Sequence, residues 1–178
     1  MRKTKTDVIV IGAGQAGLAI SYYLTKAKIE HIILERGSIA NAWKNERWDS
    51  FCLVTPNWTI TLPDALDYPV DPDAFMKKDD FVRLLENWAK SFRAPVMEGV
   101  CVSDLSRTGN EFKIVTDSRV FFANQVIIAT ATYQRPKIPL MLSNLDSRWE
   151  LKTAIDYKNP DSLREGAVLV VGSGQSGC

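Results

Sequence analysis

Six consecutive residues, Gly12-Ala13-Gly14-Gln15-Ala16-Gly17, and a later carboxylate, Glu35, have the types and spacing that dinucleotide binding requires. In a G-x-G-x-x-G turn, Gly12 permits the sharp bend and Gly14 lets a diphosphate approach the backbone. Gly17 lets the following helix lie close to the strand. Glu35 lies 35 − 12 = 23 positions after Gly12. A carboxylate there can accept hydrogen bonds from a ribose and disfavours a 2′-phosphate, which predicts FAD or NAD rather than NADP. The alternative is a structural glycine turn beside a surface glutamate.

A strand and a helix must hold this turn, and the flanking sequence predicts both. Val8–Ile11 is a β-branched run typical of a strand buried on both faces. His31–Leu34 predicts a second strand, so the three elements form a βαβ unit. Apolar residues at helical spacing predict the buried face of the helix between them, namely Ala16, Ile20, Tyr23, Leu24 and Ala27.

The rest of the chain predicts one large loop, one further helix and several strands. Residues 35–73 show weak periodicity, but their tryptophans argue against disorder. An amphipathic helix is expected over 81–92, followed by three short strands within 96–122 with turns at 108–110 and 117–118. Buried strands are expected at 126–129 and 167–171. The last of these leads into a second glycine motif, Gly172-Ser173-Gly174-Gln175-Ser176-Gly177.

Composition argues against several classes of protein. The net charge is +1, from 22 basic and 21 acidic residues, so no nucleic-acid partner is expected. Three separated cysteines and a single histidine offer neither a disulfide framework nor a metal site, and Cys52 is expected to be buried. The apolar run 8–20 is too short and too rich in glycine for a membrane span. We expect a cytoplasmic protein without a membrane partner, whose redox chemistry comes from a bound cofactor.

Beyond the glycine motif, the sequence resembles the flavin-containing monooxygenase superfamily. More closely, it resembles bacterial flavoproteins often labelled as linked to potassium or metal-ion transport. The resemblance covers nearly the whole chain and rests on Trp43 and five segments, which are 12–36, 47–50, 53–58, 133–139 and 168–178. It implies that the first motif binds FAD and that the second starts an NADPH-binding domain. Relatives reduce the flavin with NADPH, and many then use O2 to oxygenate a small-molecule substrate.

The resemblance also implies roles for individual residues. The diphosphate would be held by Gly12, Gly14, Gln15 and Gly17, and the ribose by Glu35. Residues 43–55, with Trp43, Trp48 and Thr55, would surround the flavin, although the tryptophans could instead be core aromatics. Val102 would meet the adenine through its backbone. Asn57 lies near the position at which some relatives have an asparagine that supports the peroxyflavin. The remaining residues assigned to the cofactor sites are Arg36, Thr130, Gly172, Gly174, Ser176 and Gly177.

Three departures from the family pattern limit these implications. The chain ends at Cys178, just after the second motif, so we expect a fragment or truncated product without turnover. Ala131 stands where relatives usually have glycine, and an alanine is strained there if the backbone needs a positive φ. Residues 152–155 read Lys-Thr-Ala-Ile, where relatives commonly have a histidine associated with coupling NADPH to oxygenation.

The sequence therefore predicts an α/β, Rossmann-like FAD/NAD(P)-binding fold. We expect a parallel sheet with a small antiparallel three-stranded element packed over it. Residues 1–135 would form the FAD-binding domain, and 136–178 a linker and the incomplete start of an NADPH-binding domain. The intact relative would be an FAD- and NADPH-dependent monooxygenase. The alternatives are a flavin reductase or oxidase without oxygen insertion, and a noncatalytic nucleotide-binding module that forms a homodimer through an unpaired sheet edge.

Overall fold

The computed structural model describes residues 2–65, 71–132, 135–142 and 144–177. Tyr133, Gln134 and Cys178, which contribute to the family resemblance, lie outside the described residues. The main elements in chain order are β1 (Arg2–Ile11), α1 (Gln15–Lys26), β2 (His31–Leu34), α2 (Asn41–Asn45), α3 (Lys78–Ser91), β3 (Val96–Met97), β4 (Val102–Thr108), β5 (Glu111–Thr116) and β6 (Arg119–Ile128). Short 3-10 turns occur at Asn57–Thr59, Leu140–Leu142 and Pro160–Ser162.

The six strands form one sheet in the order β3-β2-β1-β6-β5-β4. β1 pairs in parallel with β2 and β6, and β2 pairs in parallel with β3. β4, β5 and β6 form an antiparallel meander. The predicted α/β Rossmann-like class is confirmed. The meander does not pack over the parallel sheet, however, because β6 belongs to both halves and joins them edge to edge.

The sheet separates two apolar cores, and alternate residues of β1 contribute to each. Val8 and Val10 belong to the larger core, which α1 and α3 cover. Ile9 belongs to the smaller core on the opposite face, together with Ile114 and Phe121 of the meander. This alternation follows from the two-residue repeat of a strand, and it confirms that β1 is buried on both faces.

The predicted buried face of α1 is wrong. The residues that face the sheet are Gly17, Leu18, Ser21 and Tyr22. Most of the predicted face is exposed, and Tyr23 is 58% exposed. The reason is the close packing of Gly17 against the end of β1, which fixes the rotation of the helix about its axis.

Other predicted elements agree with the structure to different degrees. β2 has the expected bounds, and α3 covers the expected amphipathic helix except for Phe92, which caps its end. The turns at 108–110 and 117–118 connect β4 to β5 and β5 to β6. The third short strand and the strand at 126–129 are one continuous element, β6, whose Ile128 is 66% exposed. The prediction of a buried strand at 167–171 is wrong. That segment forms no strand, and its Leu169 is 86% exposed.

The described part of the chain lacks two features, a helix that could span a membrane and a cluster of metal-ligating side chains. No helix there is long and apolar enough to cross a membrane. Among the same residues, no group of three or more His, Cys, Asp or Glu side chains could hold a metal ion.

Cys52 is exposed rather than buried, since it lies in an isolated bridge with Lys77 outside both cores.

A buried polar pair connects α1 to β2. Ser21 Oγ lies 2.8 Å from His31 Nε2, and His31 Nδ1 lies 2.9 Å from the carbonyl oxygen of Ile29. The carbonyl can only accept, so Nδ1 carries a proton, and in the neutral ring Nε2 then accepts a hydrogen bond from the Ser21 hydroxyl. Both residues are buried, so the only histidine of the chain has a structural role.

We expect Ser21→Ala to lower the free energy of unfolding by about 1–3 kcal/mol, because it leaves the buried His31 Nε2 without a donor. Denaturant unfolding followed by circular dichroism measures this change. The control is Ser106→Ala on exposed β4, which should change stability by less than about 0.5 kcal/mol. Equal effects of the two variants would contradict the proposed hydrogen bond.

Candidate dinucleotide-binding site

The glycine turn lies where the ends of three parallel strands meet. The Gly12 N–H donates to the Leu34 carbonyl oxygen at the end of β2, over 2.8 Å. The Ala129 N–H, just after β6, donates to the Ile11 carbonyl oxygen over 2.8 Å. Ligands of open parallel sheets bind beyond the carboxyl ends of the strands. The turn therefore occupies the edge of the sheet at which a dinucleotide is expected.

Glycine is suited to each of the three positions of the turn for a different geometric reason. Gly12 has a φ of +106°, and a Cβ there would lie 2.6 Å from the Ala129 carbonyl oxygen. A Cβ on Gly17 would lie 1.9 Å from the Gly12 carbonyl oxygen. A Cβ on Gly14 would meet nothing within 4 Å. Gly12 and Gly17 are thus needed for folding, whereas Gly14 borders open space at the start of α1.

The start of α1 is suited to an anion. Gly14 caps the helix with extended backbone, and no side chain caps the first turn. That turn contains no acidic residue, and Gln15 is exposed. The first N–H groups of a helix have no partner within it and carry a partial positive charge. These donors border the open space beside Gly14 and can bind a diphosphate.

Glu35 follows β2 and reaches back to the glycine turn. Its Oε2 accepts a hydrogen bond from the Ala13 N–H over 2.8 Å, and its Oε1 accepts from the Gly37 N–H over 2.9 Å. Only 7% of the residue is exposed. Each carboxylate oxygen can accept a second hydrogen bond, so both remain able to bind ribose hydroxyl groups. The structure thus places the Glu35 carboxylate against the glycine turn.

Two other candidate residues, Val102 and Thr130, lie beside the glycine turn and Glu35. The Val100 N–H donates to the Glu35 carbonyl oxygen over 2.8 Å, which brings Val102, at the start of β4, to the Glu35 side of the site. The Cα of Thr130 lies 3.5 Å from the position of a Cβ on Gly12. By contrast, Arg36 forms an ion pair with Glu46.

The aromatic residues of the large loop divide into two groups. The Trp43 ring lies edge-on to Phe81, with 5.1 Å between ring centroids, and Trp48 lies edge-on to Phe51 at 4.8 Å. Trp58, by contrast, is 65% exposed. Thr55 is also exposed. Trp43 thus connects the loop to α3, Trp48 packs against Phe51 within the loop, and Trp58 and Thr55 lie at the loop surface.

Asn57 is buried, and the structure assigns its two side-chain atoms different roles. Its Nδ2 donates to the Asp71 carbonyl oxygen over 2.8 Å, and its backbone N–H donates to the Ala74 carbonyl oxygen. Its Oδ1 has no hydrogen-bond partner among the described residues. A buried acceptor without a partner is costly and is suited to a donor on a bound group.

The second glycine motif forms a similar local turn without the surrounding strands. Gly172 has a φ of +121°, and a Cβ on Gly177 would lie 2.4 Å from the Gly172 carbonyl oxygen. A Cβ added at Gly174, as at Gly14, would have no neighbouring atom within 4 Å. Ser176 is exposed, and no described strand leads directly into the motif. The turn thus repeats the glycine geometry of the first motif without its strand.

Two contacts of the site were missed by the sequence analysis. The Ala40 N–H donates to the Ala13 carbonyl oxygen over 3.0 Å, although Ala40 has a φ of +60°. Asp49 contacts the segment 158–159, which is far away in the sequence. Alanine carries no sequence signal for a left-handed backbone, and a loop aspartate gives no indication of a distant partner.

Comparisons with known proteins agree with this geometry. The profile of the pyridine nucleotide-disulphide oxidoreductase family matches residues 9–178. The chain belongs to this family. An uncharacterized CzcO-like oxidoreductase from Geobacillus kaustophilus is 39% identical over 96% of this chain and 49% of its own length. A probable indole-3-pyruvate monooxygenase, YUCCA1 of Arabidopsis thaliana, is 33% identical over 95% of this chain and 42% of its own.

A solved structure extends the comparison from sequence to fold. A flavin-containing monooxygenase from Stenotrophomonas maltophilia superposes on this chain with a TM-score of 0.69 and 27% identity. The superposition covers 76% of this chain and 41% of the other. The predicted resemblance to flavin-containing monooxygenases is therefore confirmed. The chain spans about half the length of the curated relatives it matches.

Ala131 departs from the family pattern at a position with measurable strain. Its φ is +59°, the left-handed region that favours glycine. We expect Ala131→Gly to raise the free energy of unfolding by up to about 1 kcal/mol, because relief of the Cβ strain exceeds the added entropy of the unfolded chain. Denaturant unfolding tests this expectation.

The matched control for Ala131 is Ala27→Gly. Ala27 is also exposed but has a right-handed φ of −76°, so glycine there relieves no strain. The free energy of unfolding of this variant should fall by about 0.4–1 kcal/mol, because glycine increases the conformational entropy of the unfolded chain. If both variants lose stability equally, the left-handed conformation of Ala131 carries no strain.

Proposed function

We propose that this chain is the FAD-binding part of an NADPH-dependent flavoprotein oxidoreductase of the monooxygenase type. The single observation that carries the proposal is the contact between Glu35 and the glycine turn, where Oε2 accepts from the Ala13 N–H over 2.8 Å. It joins a ribose-binding carboxylate to a diphosphate-binding helix start. The names of the relatives, which include flavin-containing and indole-3-pyruvate monooxygenases, support the choice of flavin.

The residues present fit FAD. Gly14 borders open space, the first turn of α1 offers unpaired N–H donors, and Glu35 keeps free acceptor capacity. In this proposal Gly12, Gly14, Gln15 and Gly17 bind the diphosphate. Bound FAD supplies the electron transfer that no side chain of this chain can perform.

The remaining candidates take roles around the same cofactor. Glu35 accepts from the ribose, Val102 contacts the adenine through its backbone, and Asn57 Oδ1 accepts from a donor on the bound group. Trp43 and Trp48 hold the loop beside the flavin and exclude water from it. The other proposed contacts are Arg36, Thr55 and Thr130 for FAD and Gly172, Gly174, Ser176 and Gly177 for NADPH.

We assign residues 1–135 to the FAD domain and 136–178 to a linker and the start of an NADPH domain. The similarity between the two glycine turns supports this division, since Gly172 and Gly177 repeat the close approach of Gly12 and Gly17. The substrate is a small molecule in this proposal. A flavin reductase or oxidase without oxygen insertion is a second candidate, because the only histidine of the sequence is buried against Ser21 and is unavailable for coupling.

The direct test is flavin retention by the purified chain. We expect added FAD to remain with the protein after gel filtration and to show the absorbance bands of oxidised, protein-bound flavin. Circular dichroism on the same sample reports whether the chain is folded. A folded protein that stays colourless after addition of FAD would overturn the proposed function.

Variants at Gly14 and Gly17 distinguish an effect on FAD binding from an effect on folding. We expect Gly14→Ala to keep the wild-type melting temperature within a few degrees, because its Cβ meets nothing within 4 Å and its backbone is extended. The same Cβ intrudes where the diphosphate approaches, so FAD affinity should fall about tenfold or more. Fluorescence titration of FAD measures this affinity.

Gly17→Ala is the contrasting variant. Its Cβ would lie 1.9 Å from the Gly12 carbonyl oxygen, so we expect a loss of about 1–3 kcal/mol of stability before any ligand is added. A Gly14→Ala variant that binds FAD normally would place the cofactor elsewhere. A Gly17→Ala variant as stable as the parent would contradict the close packing of α1.

A further inference from the structure

The segment 153–160 contacts the loop that carries Trp48, although the two are more than a hundred residues apart in the chain. The Asp49 N–H donates to the Lys158 carbonyl oxygen over 2.8 Å. Asn159 Nδ2 donates to Asp49 Oδ2 over 2.7 Å. One residue of the loop thus binds the segment through both its backbone and its side chain.

Two lysines extend this junction. Lys158 Nζ donates to the Asn45 carbonyl oxygen over 2.6 Å, which holds the segment against the end of α2. Lys78 Nζ lies 3.6 Å from Asp49 Oδ1, and only 10% of the Lys78 side chain is exposed. Both carboxylate oxygens of Asp49 are therefore engaged, one by α3 and the other by the distant segment.

The segment itself is ordered by its own hydrogen bonds. Asp156 Oδ2 accepts from the Thr153 N–H over 3.1 Å and from Thr153 Oγ1 over 2.7 Å. Asn159 Oδ1 accepts from the Ser162 N–H over 3.2 Å and caps the turn at Pro160–Ser162. Little conformational entropy remains to be lost when such a preorganised segment docks.

Trp48, the residue before Asp49, is connected to α3 through Phe51. The Trp48 ring lies edge-on to Phe51, and the Phe51 carbonyl oxygen accepts from the Lys78 N–H over 2.9 Å. The loop is thus held by α3 on one side of Trp48 and by segment 153–160 at Asp49. A shift of that segment would move Asp49 and Trp48 together.

We propose that Asp49 is a positioning residue that docks segment 153–160 onto the Trp48 loop through Asn159 and Lys158. This segment precedes the second glycine turn in the chain, and Trp48 lies in the loop that we propose to surround the flavin. The role of Trp48 at the flavin rests on the proposed function. The docking of segment 153–160 does not depend on the proposed function, and it can be measured without any cofactor.

The two side chains of this junction allow an exchange experiment. Asn159→Asp keeps the cap, because a carboxylate also accepts from the Ser162 N–H, but it removes the donor to Asp49 and places two negative charges together. Asp49→Asn keeps an acceptor for Asn159. The double variant restores a donor and an acceptor in reversed order, with Asn at 49 donating to Asp at 159.

Hydrogen exchange of the apo protein, followed by mass spectrometry of the peptide 45–51, reports the Asp49 amide directly. We expect Asn159→Asp to accelerate exchange of this peptide about 5- to 10-fold. The double variant should return to within about threefold of the wild type. Asp117→Asn, at the exposed turn between β5 and β6, is the control and should leave exchange at 45–51 unchanged.

The same variants are then titrated with FAD. We expect Asn159→Asp to weaken FAD binding several-fold and the double variant to recover it. Unchanged exchange in Asn159→Asp, or no recovery in the double variant, would overturn the docking role of Asp49. Altered and recovered exchange with unchanged FAD affinity would overturn its link to Trp48. Failure of the wild-type chain to bind FAD would instead count against the proposed function and leave the exchange result standing.

Discussion

Helix α1 approaches the end of β1 so closely that a Cβ at Gly17 would lie 1.9 Å from the Gly12 carbonyl oxygen. This contact fixes the distance and rotation of the helix, so Leu18 and Tyr22 enter the core and Tyr23 points outward. It also aims the unpaired N–H groups of the first helical turn at the carboxyl edge of the sheet. The core and the candidate site therefore depend on the same pair of glycines.

The carboxylate of Glu35 stabilises this arrangement from the neighbouring strand. Its two oxygens accept backbone N–H groups from Ala13 and Gly37, which satisfies donors that would otherwise be unpaired in a nearly buried turn. A charged acceptor makes stronger hydrogen bonds than a neutral one. The group that we propose to bind the ribose thus also holds the turn that we propose to bind the diphosphate.

The large loop is stabilised by contacts rather than by regular secondary structure. Trp43 packs against α3, and Trp88 Nε1 of α3 donates to the Pro63 carbonyl oxygen over 2.9 Å. At the far end, Tyr22 and Lys26 of α1 both donate to the Asp64 carboxylate. The Lys26 ammonium, and then the Tyr22 hydroxyl, lower the pKa of that carboxyl below its ordinary value. Helices on both sides thus hold a loop that has little periodicity of its own.

The sequence by itself determined the βαβ unit and the glycine turn, because these depend on short-range spacing and on properties that only glycine has. It also indicated strain at Ala131, whose φ is +59°. Only the tertiary structure decided which face of α1 is buried, since an apolar stripe does not reveal where a close backbone contact will hold the helix. It also decided that residues 167–171 form no strand, because a strand exists only beside a partner. The contact of Asp49 with Asn159 joins distant segments through two polar side chains, which no local pattern predicts.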